Sequence, residues 1–366
     1  MNTGIVLQED YFWYDSLGQP FPPFKAEPGA NYDSPEVKKR FYNLLRQCKI
    51  VDSLENLFPS EINDEDILRV HSARYLEMLK QENEKKSAYA GPGAVFAGGD
   101  FSIARLSSGG TVEAVKNVLE NRVSNAFALV RPPGHHAETD RGAGFCVLNN
   151  VAIAARYAQA VSGIDKVAII DWDVHHGNGA QEIFWEDASV LTISLHQDYY
   201  FLEENVGTSE YSGEGKGSGY NINVPLPPGS GNGVYSAAIE QVVEPAVRNF
   251  EPDLIIVASG LDAGCYDPLG RMALTPSGFK SMTEKVRQLA EEVCNGRLVL
   301  SQEGGYDAAS TPYMGLAVVE GLSGMDMQIS TPFELFGTTM RYTNDVFEHH
   351  QAVLNEAAKK AKKIKA

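Results

Sequence analysis

The chain has 366 residues and a formal net charge of −17 at pH 7. Its length allows a large buried core, and no Pro/Ser-rich linker divides it, so we expect a single domain over residues 1–366. The acidic balance disfavours nucleic acid and anionic membranes as partners, because both bind through clustered Lys and Arg side chains.

Cysteine usage and the absence of apolar leader sequences indicate a cytoplasmic protein. The four cysteines are far apart and form no CxxC motif; they are Cys48, Cys146, Cys265 and Cys294. Such spacing is typical of reduced thiols and not of a disulfide framework. No charged N-terminal region precedes an apolar segment, and no apolar run reaches membrane-spanning length.

Apolar runs alternate with amphipathic stretches along the chain. The predicted helices are 35–45 (after a Ser34–Pro35 start), 64–82, 107–120, 149–160, 235–249 and 277–294, the last capped by Thr275 or Ser277. The predicted buried strands, which are continuously apolar, are 125–130, 166–170, 189–195, 253–259 and 297–302. Segments 10–33 and 203–219 have loop composition, and the basic end, 345–366, is predicted to be a solvated helical tail. The alternation predicts an open α/β sandwich.

Four polar motifs directly follow four of these strands. They are RPPGHH (131–136), DWDVHHGNG (171–179), GLDAGCYDP (260–268) and EGGY (303–306). In open parallel sheets, ligands bind beyond the carboxyl ends of the strands. The motifs are therefore predicted to converge on one site.

Asp173, His175 and Asp262 form a candidate metal centre. Side chains alternate in an extended segment, so Asp171, Asp173 and His175 point to the same side. A single Asp or His at a strand end is more often a turn or cap residue, but the joint pattern favours a metal. Two carboxylates and one imidazole suit a divalent ion and leave positions open for water and substrate, as a catalytic zinc site requires.

His135 and His136 are the candidate base pair. Adjacency alone means little, because the histidine pair at 349–350 lies in a polar stretch that is predicted to be surface. The loop of the first pair is fixed by two prolines and a glycine, and Asp171 and Asn178 are available to orient the rings. Tyr306 offers a neutral donor for a developing oxyanion. Metal, base and donor together predict a hydrolase.

These motifs, together with ISLHQD (193–198) and DPLGRM (267–272), resemble the zinc-dependent histone deacetylases over about residues 30–325. The resemblance is to the class II-like branch, which includes bacterial histone deacetylase-like amidohydrolases. It implies the arginase/deacetylase fold, an eight-stranded parallel sheet sandwiched between helices. It also implies zinc held by Asp173, His175 and Asp262. His136 becomes the general base, His135 its electrostatic partner, and Tyr306 the group that polarises the scissile carbonyl.

The same resemblance implies a substrate tunnel and two potassium sites. The tunnel residues are Gly144, Phe145 and Phe201, with Leu269 at the mouth and Asp100 where relatives place a serine that contacts the substrate amide. The inner potassium site comprises Asp171, Ser194 and the backbone carbonyls of Asp173, His175 and Leu195. The outer site comprises Phe184, Asp187, Val190 and Tyr220.

Besides Asp100, two positions depart from the family pattern. Asn178 stands where class I members carry an aspartate, so the orienting partner of His136 is neutral. No proline follows Phe201, which leaves the shape of the tunnel rim open.

The implied activity is zinc-dependent deacetylation of acetyl-lysine in a peptide or protein. The alternatives are hydrolysis of small acetylated amines such as acetylpolyamines, an esterase, and a longer-chain lysine deacylase. Leu269 favours acetyl-lysine, because relatives that select polyamines carry a glutamate there. A silent acyl-lysine reader would lack a metal ligand or the tyrosine, and all are present. Bacterial members also suggest a homo-oligomer.

Overall fold

The computed structural model describes residues 2–17, 31–198, 206–339 and 343–365. Within these residues, eight strands form one parallel sheet in the order β2-β1-β5-β10-β9-β6-β7-β8, and β3 and β4 form a separate antiparallel hairpin. The strands are β1 (Thr3–Leu7), β2 (Glu55–Leu57), β3 (Ser87–Gly91), β4 (Ala94–Ala97), β5 (Asn125–Leu129), β6 (Val167–Asp171), β7 (Val190–Gln197), β8 (Asn221–Leu226), β9 (Leu254–Ser259) and β10 (Leu298–Gln302). The predicted eight-stranded parallel sheet is confirmed.

Helices cover both faces of the sheet. The α-helices are α1 (Pro35–Gln47), α2 (Asp64–Leu68), α3 (Ala73–Asn83), α4 (Phe101–Leu119), α5 (Asn150–Ser162), α6 (Asn178–Ile183), α7 (Asn232–Ala238), α8 (Glu244–Phe250), α9 (Pro276–Cys294), α10 (Thr311–Ser323), α11 (Pro332–Thr339) and α12 (Glu348–Ala361). Alternate residues of β9 enter opposite cores, Ile255 and Val257 on one face and Ile256 and Ala258 on the other. This burial on both faces explains why the strands are continuously apolar.

The five strands predicted from apolar runs match β5, β6, β7, β9 and β10 closely. The apolar runs do not reveal β1, β2 and β8, since these strands are short or contain Gly, Asn or Pro. The helix predicted over 64–82 is two helices, α2 and α3. The helix is interrupted before Ser72, because the Oγ of Ser72 accepts the N–H of Tyr75 at 3.2 Å and caps the start of α3. The helix predicted over 235–249 is α7 and α8, joined by a π-helical turn at Ile239–Val243.

The capping of α9 differs from the prediction. Thr275 is the N-cap residue, but its side chain does not cap the helix. Glu334 of α11 supplies the acceptor instead, since its Oε2 accepts the N–H of Ser277 at 2.9 Å. The acceptor lies 57 residues away in sequence, so local pattern could not indicate it.

The basic C-terminal segment is not a solvated tail, and that prediction was wrong. Leu354, Ala357 and Ala361 of α12 are fully buried in the core beside β8. Their spacing places them on one face of the helix. This apolar face is hard to recognise in the sequence because the segment contains many lysines. His349 is exposed, but His350 is only 4% exposed and its Nδ1 accepts the N–H of Phe347, so the surface prediction fails for His350.

The sheet order brings the four motif-bearing strands together. β5, β10, β9 and β6 are consecutive neighbours in the middle of the sheet. All of them are parallel, so the motifs that follow them emerge at the same edge. Among the residues described, no helix combines the length and apolar character that crossing a membrane would require.

Candidate active site

Asp173, His175 and Asp262 meet at the carboxyl edge of the sheet. All three are buried, and one potential ligand atom from each lies within 4.8 Å of the others. His175 Nδ1 is 2.9 Å from Asp173 Oδ1 and 3.1 Å from Asp262 Oδ2. Ligands on a tetrahedral zinc ion with bonds of about 2.0–2.1 Å lie about 3.3 Å apart. These spacings therefore suit a single zinc-sized ion.

Backbone donors fix the two carboxylates. Asp173 accepts the N–H groups of His175 at Oδ1 and Gly304 at Oδ2, at 2.9 and 2.8 Å. Asp262 Oδ1 accepts the N–H of Val174 at 2.9 Å. Its Oδ2 is buried, and its polar contact with His175 Nδ1, at 3.1 Å, is shared with Asp173 Oδ1. A buried carboxylate oxygen left in this way is costly unless it binds a cation, so the donor set fits a metal ion.

The charges of the triad support the same conclusion. Burial would lower the pKa of His175, but hydrogen bonds to Asp173 and Asp262 outweigh it and raise this pKa to about 10. Burial, followed by repulsion from the Asp173 carboxylate, raises the pKa of Asp262 to about 6. The two carboxylates therefore attract positive charge strongly, and a divalent ion can supply it.

The rings of His135 and His136 lie next to each other beside the triad, with centroids 3.9 Å apart and planes tilted by 39°. His135 Nδ1 is 2.8 Å from Asp171 Oδ2, and His136 Nδ1 is 2.7 Å from Asn178 Oδ1. Each ring thus has the orienting partner expected from the sequence. The rings of His136 and His175 are 5.8 Å apart, which places the candidate base next to a metal ligand.

The two partners give the histidines different charges. Burial lowers the pKa of His135, but the carboxylates of Asp171 and Asp173 outweigh it and raise this pKa to about 10. Burial, together with repulsion from His135 and His175, holds the pKa of His136 well below 6.5. A neutral imidazole beside a cationic one is the arrangement that a general base with an electrostatic partner requires.

The loop that carries these histidines is held by Glu303, a residue to which the sequence analysis assigns no role. Glu303 Oε2 accepts the N–H groups of Gly134 and His135 at 2.6 and 3.2 Å. Burial raises the pKa of Glu303 to about 7. Its place directly after β10, ahead of two glycines, is the only sequence signal that could have drawn attention to it. Glu303 also lies near His135 and Cys146. That group suits a metal less well, because burial raises the pKa of the thiol well above 9.

Tyr306 lies beside His175 of the triad. Its ring centroid is 6.4 Å from that of His175 and 5.7 Å from that of Phe145. Burial, followed by the carboxylates of Asp262 and Asp173, raises the pKa of the phenol well above 10, so it remains a neutral donor. Asp267, which was not predicted as a site residue, supports this segment by accepting the N–H groups of Tyr306 and Leu269 at 2.7 and 2.9 Å.

The predicted tunnel residues are placed unevenly. Gly144 lies against the His136 ring, from which a Cβ would stand 2.4 Å away, and the Phe145 ring lies beside that of Tyr306. Leu269 is half-buried on the loop held by Asp267. The carboxylate of Asp100 accepts the N–H of Asp15 at 2.7 Å at the start of α4, which is a different contact from the predicted one with substrate. Phe201 lies outside the described residues.

Two residues of the predicted inner potassium site are adjacent, while the predicted outer site includes an ion pair. Asp171 and Ser194 are register partners on β6 and β7. In the outer set of Phe184, Asp187, Val190 and Tyr220, the Asp187 carboxylate pairs with Arg156 at 2.6 Å. The Arg156 guanidinium also lies 4.7 Å from the centre of the Phe184 ring. The Arg156 guanidinium therefore already neutralises Asp187, the one residue of the outer set with a carboxylate.

Structural comparison places this architecture in a class. The chain aligns with the crystal structure of the HDA15 HD domain with a TM-score of 0.82 and 31% identity, covering 97% of this chain and 96% of that domain. Together with the eight-stranded parallel sheet, this likeness defines a protein with the arginase/deacetylase fold.

Sequence comparison then gives the family. Residues 32–322 match the histone deacetylase domain, so the chain belongs to the histone deacetylase family. It is 44% identical over 340 residues to a histone deacetylase-like amidohydrolase of Pseudomonas aeruginosa, with 91% of this chain and 89% of the relative covered. It is 38% identical over 328 residues to a probable deacetylase of Archaeoglobus fulgidus, with 89% and 88% covered. The resemblance inferred from the motifs is confirmed.

Proposed function

We propose that this protein is a zinc-dependent amidohydrolase that removes the acetyl group from acetyl-lysine side chains, and that it acts as a single deacetylase domain. The observation that carries the proposal is the meeting of three metal-ligating side chains with a neutral histidine and a neutral phenol. These groups are the triad of Asp173, His175 and Asp262, with His136 and Tyr306 beside it.

The triad would hold the metal. A zinc ion bound there would supply a Lewis acid that lowers the pKa of water and polarises the acetyl carbonyl. Gly304 keeps this position accessible, because its Cα lies so close to Asp262 Oδ2 that a Cβ would stand 2.1 Å from that oxygen. The metal centre therefore depends on the absence of a side chain at Gly304.

The remaining residues move protons and stabilise charge. His136, neutral and oriented by Asn178, accepts a proton from the attacking water. Tyr306 donates its phenolic hydrogen to the oxyanion that forms as the carbonyl carbon becomes tetrahedral. When the C–N bond breaks, the protonated histidine pair returns a proton to the leaving lysine amine, and acetate is released. His135, held by Asp171, keeps positive charge beside the oxyanion.

The substrate class follows from the tunnel mouth. Gly144 and Phe145 flank the reacting centre with apolar surface that suits the lysine methylene chain. Leu269 carries no charge, so it offers nothing to pair with the further ammonium groups of an acetylpolyamine. A peptide crosses the rim through backbone groups and apolar contacts, which a leucine accepts. An acetyl-lysine substrate is therefore favoured over a polyamine.

We extend the proposal to a potassium ion at the inner site. Asp171 and Ser194 lie side by side on neighbouring strands and offer oxygen ligands of the kind that hard cations prefer. Asp171 also orients His135, so an ion there would help to set the orientation of the histidine pair. For the outer set, the Arg156–Asp187 ion pair is a local source of positive charge, and we do not extend the proposal to it.

The experiment uses the purified full chain, stripped of metal and reloaded with one equivalent of zinc. Activity is measured on an acetyl-lysine peptide and on N8-acetylspermidine, and metal content by elemental analysis. We expect one zinc per chain, loss of turnover after chelation, and recovery on reloading. Asp262→Ala should lose both metal and turnover, while Asp326→Ala, which removes an exposed carboxylate, should lose neither.

Two results would contradict the proposal in different ways. Native zinc content and native activity in Asp262→Ala would overturn the metal assignment. Equal or faster turnover of N8-acetylspermidine would overturn the substrate class and leave the hydrolytic chemistry standing. The first outcome concerns the triad alone, and the second concerns the rim around Leu269.

A further inference from the structure

A chain of hydrogen bonds connects His136 to a carboxylate outside the catalytic motifs described above. His136 Nδ1 is 2.7 Å from Asn178 Oδ1, and Asn178 Nδ2 donates to Glu138 Oε1 at 2.7 Å. Glu138 in turn accepts two hydrogen bonds from Arg141, at 2.6 Å on Oε2 and 3.0 Å on Oε1. The negative charge that Asn178 lacks is therefore present one hydrogen bond further from the imidazole.

The carboxylate determines which end of the Asn178 amide faces the histidine. An asparagine can present either its oxygen or its NH₂ group to a neighbour, but a carboxylate only accepts hydrogen bonds. Arg141 donates to both oxygens of Glu138, so both oxygens act as acceptors here. The NH₂ group of Asn178 must therefore face Glu138, and its oxygen must face His136 Nδ1. A longer contact of 3.4 Å from Asn178 Nδ2 to the His136 carbonyl oxygen agrees with this orientation.

The orientation of the amide fixes the tautomer of His136. An oxygen facing Nδ1 requires the imidazole to carry its proton on Nδ1, which leaves the lone pair on Nε2. With the amide reversed, Nδ1 would accept from the NH₂ group and Nε2 would carry the proton. Only the first tautomer can take a proton through Nε2, and a catalytic histidine in the wrong tautomer is a poor base.

We infer that Glu138 is a positioning residue that selects the base-competent tautomer of His136 through Asn178. This inference rests on the proposed function, in which His136 is the general base. The geometry itself is independent of any bound metal, since each link is a hydrogen bond between side chains of this chain.

The Glu138 side chain is not needed to shape its own loop. The backbone N–H of Glu138 donates to the Arg141 carbonyl at 2.9 Å, and its carbonyl lies 2.9 Å from His71 Nδ1. These backbone contacts persist when the side chain changes. A substitution at Glu138 therefore tests the polarity of the hydrogen-bond chain with little effect on the fold.

The main variant is Glu138→Gln, which keeps the shape and removes the charge. With its oxygen at the Oε1 position, the new amide meets Asn178 and Arg141 Nη2 but turns its NH₂ group toward Arg141 Nε. With its oxygen at the Oε2 position, it meets Arg141 Nε but turns its NH₂ group toward Asn178 and Arg141 Nη2. We expect a mixture of His136 tautomers and a kcat lower by about 10- to 100-fold, the usual effect of removing such an outer partner. KM should change little if Glu138 acts only through Asn178 and His136.

A rescue variant exchanges the carboxylate and the amide. In the double variant Asn178→Asp with Glu138→Gln, the carboxylate accepts directly from His136 Nδ1, the new amide NH₂ donates to that carboxylate, and its oxygen accepts from Arg141. The Arg141 Nη2 bond to the Oε1 position is lost, but His136 Nδ1 and the amide NH₂ group both meet the new carboxylate, so the base-competent tautomer should return. We expect kcat to recover by at least about tenfold relative to Glu138→Gln alone.

The tautomer is read by ¹⁵N NMR of protein labelled in its imidazoles, which distinguishes protonated from unprotonated ring nitrogens. The His136 signals are assigned by their loss in His136→Ala. Glu182→Gln is the matched control, because Glu182 lines the same surface cavity as Glu138 but binds Thr139, through its N–H and hydroxyl. This control should keep the native tautomer and a kcat within about twofold of native.

A native tautomer in Glu138→Gln, or the failure of the exchanged pair to restore it, would overturn the inference. Because NMR reads the tautomer without turnover, a lack of deacetylase activity in the unmodified protein would count against the proposed function alone. A lowered kcat with an unchanged tautomer would also refute the role given to Glu138, since the loss would then have another origin.

Discussion

Gly304→Ala should destroy the metal centre while leaving the fold intact. A Cβ at this position would lie 2.1 Å from Asp262 Oδ2 and 2.7 Å from Asp173 Oδ2, and real Cβ contacts are essentially never below 3.0 Å. The backbone of Gly304 does not adopt a positive φ, so alanine itself introduces no backbone strain. The collision with the metal ligands is therefore the whole effect of the substitution.

The expected magnitude follows from the distances. Asp262 Oδ2 must move by about 0.9 Å to reach the 3.0 Å limit, whereas metal sites tolerate about 0.2 Å in ligand distance. Rotation of this carboxylate also strains the hydrogen bond from the N–H of Val174, which costs about 1 kcal/mol of stability. We expect zinc affinity to fall by at least about 100-fold, equivalent to about 2.8 kcal/mol, and turnover to fall with it.

The assay is competition for zinc against a chelator of known affinity, combined with thermal unfolding of the metal-free protein. Gly264→Ala is the control, because it makes the same change two residues after Asp262, where the nearest atom to the new Cβ, the Leu261 carbonyl oxygen, is 3.0 Å away. A Gly304→Ala protein that binds one zinc with native affinity would refute the assignment of Asp262 as a ligand. A protein that fails to fold without metal would refute the claim that the effect is confined to the site.

Three further outcomes are expected. Tyr306→Phe removes the oxyanion donor and keeps the ring, so kcat on an acetyl-lysine peptide should fall by roughly 10²–10³-fold with zinc content unchanged. A near-native kcat would show that the tyrosine only lines the pocket. The unmodified protein should prefer that peptide over N8-acetylspermidine by at least about tenfold in kcat/KM, and Leu269→Glu should narrow or invert the ratio. Lys38 is buried, and burial lowers its pKa from 10.5 to about 8, so between these values the folded protein binds fewer protons than the unfolded chain. Its stability relative to Lys38→Met should therefore rise with pH across that window, by at most about 1.4 kcal/mol per pH unit, and chemical denaturation at several pH values that gives a constant difference would contradict this.

The sequence by itself determined the central sheet and the composition of the site. A strand buried on both faces needs a short continuous apolar run, and such runs located five of the eight strands of the sheet. Residues just after parallel strands must meet at one edge, so Asp173, His175 and Asp262 could be grouped before any coordinates were known. The spacing within each motif is local, and local spacing is what a sequence records directly.

Only the tertiary structure decided which groups support that site. The Glu303 carboxylate reaches the backbone of Gly134 across 169 residues, and Asp267 reaches that of Tyr306 across 39. Glu138 is close to His136 in sequence, but its influence passes through Asn178, which lies 40 residues further along the chain. Likewise, the apolar face of α12 became recognisable only when it was seen packed beside β8. Each of these contacts depends on a distance in space between segments that are remote in sequence, and neither periodicity nor composition contains that distance.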